Sequence, residues 1–286
     1  MGKVILHMLS KVFLYCFVFI FLIPGINFSD SFAENKPNRI ISLSPSLTEI
    51  LFAINADQQV IAVDSYSNFP QNAPTTSLSA HEPNMEAIAS LNPDLVVLSY
   101  DIGDLTSGLN TAGIATLLLK APLEFDGIQQ QIMILGESTG NSKEAGKLAI
   151  EMQNEMARLK LVREKKKPVR IYHEIDENYY SASSFSFIGS IYKMLNLINI
   201  ADKADKARYG YPKLSPEFII ASNPELIVLP GKTENDLKKI MKRPGWKHID
   251  AVKNDKFLRI DSDIASRWGP RVVDFAYSVV KFLEGQ

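Results

Sequence analysis

E-A-I-A-S-L-N-P-D-L-V-V-L, residues 86–98, returns as E-F-I-I-A-S-N-P-E-L-I-V-L at residues 217–229. Each copy predicts a helix that halts at Asn-Pro and feeds a short, continuously apolar strand. Proline just past a helix end forces the residue before it out of helical geometry. The glutamate stands six residues before the asparagine in both copies. A match this long predicts two related lobes, and a period of 131 residues is far too long for a solenoid.

Outward from the first copy, Arg39-Ile40-Ile41-Ser42-Leu43 predicts a strand ending at Ser44-Pro45-Ser46, and residues 48–54 a helix. Residues 60–63, 95–98 and 115–119 supply further strands. Short β-rich runs between helical patterns mean buried parallel strands, hence an α/β fold. From Ser142 to Lys167, apolar residues at Ala145, Leu148, Ala149, Met152, Met156 and Leu159 follow helical spacing up to Pro168. That predicts a linker helix roughly 35–40 Å long at 1.5 Å per residue. The expected organisation is a signal peptide over 1–33, an N-terminal lobe over 34–141, a linker helix over 142–167 and a C-terminal lobe over 168–286. Lobes joined by one rigid helix are expected to move only slightly against each other.

The first residues are read as an export signal. Lys3 and Lys11 flank a short basic region, residues 12–23 are an unbroken apolar run, and Ser31-Phe32-Ala33 ends it with small residues. Twelve apolar residues are too few for a membrane span, which needs ~20. A retained membrane anchor or lipidation at Cys16 are the other readings of this segment. Cys16 is the only cysteine of the 286 residues. Cleavage after Ala33 leaves none, which excludes disulfides, thiolate metal sites and a cysteine nucleophile. Net charge is −1 with 22% charged residues, a globular composition that argues against a nucleic-acid partner.

With these landmarks in place the chain resembles a known family. R-I-I-S-L-S-P-S-L-T-E at 39–49, D-S-Y-S-N-F-P at 64–70, N-M-E-A-I-A-S-L-N-P-D-L-V at 84–96, Y-P-K-L-S-P-E at 211–217 and D-S-D-I-A-S-R-W-G-P-R at 261–271 fall in its order and spacing. The family is the helical-backbone periplasmic binding proteins of ABC importers for cobalamin, haem and ferric siderophores, above all those for cobalamin. The resemblance implies two Rossmann-like lobes joined by one long rigid helix, with the ligand in the cleft between them. It implies an exported, periplasmic monomer with no catalysis and no cofactor or metal site of its own, its cargo carrying cobalt or iron. By position it assigns Pro45, Tyr66, His81 and Tyr100 to the N-terminal side of the cleft, and Tyr180, Tyr211, Asp263 and Arg267 to the C-terminal side. Glu86 and Glu217 match the glutamates that dock on arginines of the membrane permease. The cobalamin receptors favour tryptophan where this chain has His81, Tyr100 and Tyr211, so haem and ferric siderophores stay open as cargo.

The residues themselves agree in kind. A flat ligand with an apolar body needs aromatic faces in a concave site plus a few orienting polar groups. The tyrosines and Trp268 fall at expected strand ends and turns. Each glutamate also suits the first turn of a helix for its charge alone. A competing class is a secreted serine hydrolase, since Gly136-Glu137-Ser138-Thr139-Gly140 matches G-x-S-x-G. That elbow needs a strand running into the serine, whereas 128–135 reads as helix, which makes the five residues a helix–loop–helix turn. Gly231-Lys232-Thr233 lacks the earlier glycine of a phosphate loop. His81, beside Glu82, is considered as an axial ligand to haem iron. His173 and His248 have no neighbours at ligand spacing. Residues 163–167 are read as a solvated, basic helix end.

Overall fold

The computed structural model describes residues 36–285; the export signal read over 1–33, Cys16 included, lies outside them. Eight strands form two parallel sheets. β1 (Ile40–Leu43), β2 (Val60–Val63), β3 (Leu95–Leu98) and β4 (Ala115–Leu118) run in the order β2-β1-β3-β4. β5 (Val169–His173), β6 (Leu197–Asn199), β7 (Leu226–Pro230) and β8 (Phe257–Ile260) repeat it as β6-β5-β7-β8. The repeated passage therefore falls at equivalent places, a short helix followed by the third strand of each sheet. The helices are α1 (Pro45–Ala53), α2 (Met85–Ser90), α3 (Leu105–Thr111), α4 (Phe125–Thr139), α5 (Ser142–Glu164), α6 (Phe187–Met194), α7 (Pro216–Ser222), α8 (Glu234–Met241), α9 (Asp250–Lys253) and α10 (Val272–Glu284).

Side-chain alternation along the strands sorts the core into layers. Ile40, Leu95 and Val97 face an inner layer, while Ile41, Val96 and Leu98 face an outer one under α2 and α3. In the second sheet Ile171, Leu226 and Val228 join the same inner layer, and Tyr172, Ile227 and Leu229 face a second outer one with Trp246. The inner layer is continuous from sheet to sheet. It is built from α1, α4, α5, α6 and α10.

Helix α5 covers 23 residues, ending three short of the expected span. Its buried face, Ala145, Ala149, Met152, Met156 and Leu159, has the spacing read from the sequence, and α4 and α10 pack along it. It is thus one member of a packed layer rather than a bare rod. The basic run at its end is also only partly solvated. Arg163 is buried, 3.1 Å from Glu284 and donating to the Lys167 carbonyl; Lys166 reaches the same carboxylate at 2.7 Å. These contacts hold Glu284 below the usual carboxylate range, Lys166 contributing most.

A second tie joins the halves. Glu49 on α1 is buried at 3% exposure. It accepts Arg267 Nη1 at 3.0 Å and both Nε and Nη2 of Arg271, at 2.9 and 2.6 Å. Arg267 also donates to the Tyr66 carbonyl at 3.0 Å and pairs with Asp263, which accepts Asn68 at 2.9 Å. Arg271 lies 4.1 Å over the Phe69 ring, and a Cβ on Gly269 would stand 3.3 Å from Glu49 Oε2. Removing one partner of a buried ion cluster leaves the remaining charges desolvated and unpaired. Glu49→Ala is expected to lower unfolding free energy by about 3–5 kcal/mol, read as a fall in the urea midpoint. A midpoint within error of the parent would sink the clasp as a stability determinant.

Candidate functional site

A hollow opens at the carboxyl ends of both sheets, where ligands of open α/β sheets bind. Its volume is 480 Å³, within the ~300–1,000 Å³ range of small-molecule sites. The first lobe contributes Tyr100 after β3 and Ala121, Pro122 and Leu123 after β4. The second contributes His173 and Ile175 at the end of β5, Phe185, Tyr209 and Tyr211 from the following loops, and Trp268. A hollow of 510 Å³ beside Glu124, Lys160, Glu164 and Lys193 has Phe125 as its one aromatic.

Of the residues expected at the cleft, Tyr100 and Tyr211 line it from opposite lobes. Burial, with the neighbouring Tyr100 second, pushes the Tyr211 phenol above its ordinary pKa. Tyr66 and His81 do not touch the hollow but extend its wall. Ring centroids run Tyr66–His81 5.7 Å and His81–Tyr100 6.2 Å, a three-ring ladder, with Tyr66 59% exposed. The other four have different surroundings. Pro45 is the first residue of α1 behind Ser44, a position its fixed φ suits. Tyr180 bridges to Lys213, whose ammonium lies 5.8 Å over its ring. Asp263 and Arg267 belong to the clasp on Glu49, and neither lines the hollow, although Ser262, Ala265 and Ser266 beside them do.

The second wall is held by two carboxylates. Asp205 accepts Ser183 Oγ at 2.6 Å and the backbone N–H groups of Tyr209 and Gly210 at 2.9 and 2.8 Å. Ser183 Oγ in turn accepts from the Phe185 N–H, so a single side chain sets the two aromatic loops. Burial raises the Asp205 pKa, but these donors outweigh it and the net direction is down. Asp202 repeats the device with Ser184 N and Oγ at 2.7 and 2.8 Å. Gly189, in the first turn of α6, lies so close to the Ser183 carbonyl that any side chain would collide with it.

Sequence reasoning missed Phe185, Tyr209 and His173. The cue for the first two was a serine-rich turn carrying large aromatics in S-A-S-S-F-S and R-Y-G-Y. His173 has no neighbours at metal-ligand spacing, and a buried contact to an organic ligand leaves no spacing signal. The hydrolase reading fails: Ser138 lies within the last turn of α4, which ends at the left-handed Gly140, so no strand enters the serine. The expected helix–loop–helix turn is only the Gly140-Asn141 step between α4 and α5. Thr233 makes a capping box with Asp236 at the start of α8.

A family described as periplasmic binding protein matches residues 40–264. The uncharacterized ABC transporter substrate-binding lipoprotein YvrC of Bacillus subtilis (strain 168) is 28% identical over 267 residues, 90% of this chain and 83% of that one. A vitamin B12-binding protein of Vibrio cholerae is 24% identical over 273 residues, 93% and 95% of the two chains. Among solved structures, a possible iron-binding (periplasmic solute-binding) protein from Staphylococcus epidermidis superposes with a TM-score of 0.76 at 25% identity. It covers 87% of this chain and 99% of its own.

His173 is 3% exposed, and burial lowers its pKa from 6.5 to about 4. Below pH 6.5 the unfolded chain takes up a proton that the folded one refuses. Stability therefore falls with acidification until the folded imidazole titrates near pH 4, by about 3 kcal/mol for this residue. His173→Gln is expected to flatten the urea midpoint against pH over that window; an unchanged slope would refute it.

Proposed function

The chain belongs to the periplasmic binding protein family, and from that membership we propose that it captures cobalamin or a similar metal-chelate macrocycle. It then hands the cargo to the permease of an ABC importer. The observation that carries the proposal is the aromatic cleft at the carboxyl ends of both sheets, with Tyr100 and Tyr211 from opposite lobes. A flat, largely apolar body stacks on such faces while its edge meets the polar groups. The likeness to a vitamin B12-binding protein over nearly the full length of both chains supports cobalamin over haem. In this reading the protein is exported and does no chemistry. The ligand lies between the walls and extends along the Tyr66–His81–Tyr100 ladder.

Trp268 lines the cleft and Trp246 is fully buried in the outer core of the second lobe. These are the two tryptophans of the chain, so fluorescence reports occupancy over a constant background. Cyanocobalamin, after inner-filter correction, is expected to quench saturably with a Kd of about 1 µM or tighter. Tyr66→Ala and Tyr211→Ala are each expected to weaken binding about tenfold, 1.4 kcal/mol. Quenching and a shifted Soret band with haemin alone would move the cargo to haem. Silence toward both would remove the macrocycle reading.

Glu86 and Glu217 stand exposed in the first turns of α2 and α7, equivalent helices of the two lobes. Neither has an ion-pair partner among the described residues. Two anionic knobs at a fixed separation suit registration on a basic partner, and docking on the permease is assigned to them. The double variant Glu86→Arg, Glu217→Arg is expected to lose permease capture in a pull-down while keeping ligand affinity. Capture equal to the parent's would end this assignment.

A further inference from the structure

The imidazole of His173 sits at the inner end of the cleft, at the last residue of β5, and is almost wholly buried. Its Nδ1 lies 2.7 Å from the hydroxyl of Tyr192 on α6. Tyr192 is fully buried, and its hydroxyl has no other hydrogen-bond partner among the described residues. A buried hydroxyl must place its proton somewhere, and the acceptor on hand is Nδ1. The ring proton is thereby confined to Nε2, for which the described residues supply no partner. We propose that His173 is a specificity-determining contact, presenting Nε2–H from the floor of the cleft to a carbonyl or carboxylate oxygen of the cargo.

One further feature of the same floor favours an acceptor. The first turn of α6, with Ser186, Phe187 and Ile188, lines the hollow, and a helix start is its positive end. The tautomer also argues against metal ligation here, because the nitrogen facing the cargo carries a proton rather than a lone pair. The ring stays neutral through the physiological range, since burial keeps its pKa low. The contact is therefore dipolar, and binding through it is independent of pH between about 5.5 and 8.

The assignment rests on the proposed cleft, and two measurements separate its failure from that of the cargo reading. In the full chain labelled with 15N-histidine, His173→Gln identifies the resonances of His173. They are expected to show protonated Nε2 and unprotonated Nδ1, unchanged from pH 7 to pH 5.5. Tyr192→Phe removes the hydroxyl that fixes the proton and is expected to let both tautomers appear, which a merely structural role would not do. In cyanocobalamin titrations, Gln keeps an amide donor near the Nε2 position, so His173→Gln is expected to bind within about threefold of the parent and His173→Leu at least tenfold weaker. A proton found on Nδ1, or His173→Leu binding as tightly as the parent, would overturn the assignment. So would a haemin spectrum whose shift is lost in His173→Leu, since that makes the ring an iron ligand. If the parent binds neither probe, the cargo reading falls and the tautomer alone decides whether the donor exists.

Discussion

Glu49 is a carboxylate taken out of water, and the rest of the molecule is arranged around keeping it paired. An ionised group in an apolar interior costs several kcal/mol unless its oxygens are fully engaged. Here both are, by Arg267 and by the fork of Arg271. The geometry of a guanidinium fork is fixed, so pairing also fixes the segment that carries it. Arg267 has donors left over, and it spends one on the backbone of Tyr66. One ion cluster thus ties the two halves of the chain and sets the base of the aromatic ladder.

The cleft shows a division of labour between its sides. The first lobe offers a row of edge-to-face and tilted rings, whose apolar faces are tolerant of what they meet. The second offers rings held by Asp205 and Asp202, with the buried His173 at its floor. Neither carboxylate points at cargo. Both work by accepting backbone N–H groups, so the loops bearing Phe185, Tyr209 and Tyr211 are set before any ligand arrives.

How much of this was legible in the sequence depends on what kind of signal a residue leaves. Strands β1 to β4 and β7 announced themselves by short apolar runs, and the buried stripe of α5 by its period, because both record burial in a repeating pattern; β5, β6 and β8 left no such mark. The repeated passage foretold two related lobes, and their shared strand order is what the structure adds. Tyr100 and Tyr211 were reachable through the resemblance, which carries positions across from aligned motifs. Arg267 was not: a buried arginine and a ligand-binding one look alike in a sequence, and its partner lies 218 residues away. Arg163 was misread for the same reason, since Glu284 pairs with it from the far end of the chain. His173 was hidden by isolation, its meaning depending on Tyr192 nineteen residues on.

The same distances govern the order in which the molecule becomes itself. A chain leaving the ribosome from its first residue exposes Glu49 long before Arg267 and Arg271 exist. Until they arrive, the first lobe holds a charge it cannot bury, and α10, part of the layer against which both sheets close, has not been made. Contacts of such long sequence separation form late, because the intervening chain must close first. The clasp on Glu49 is therefore among the last parts of the molecule to form.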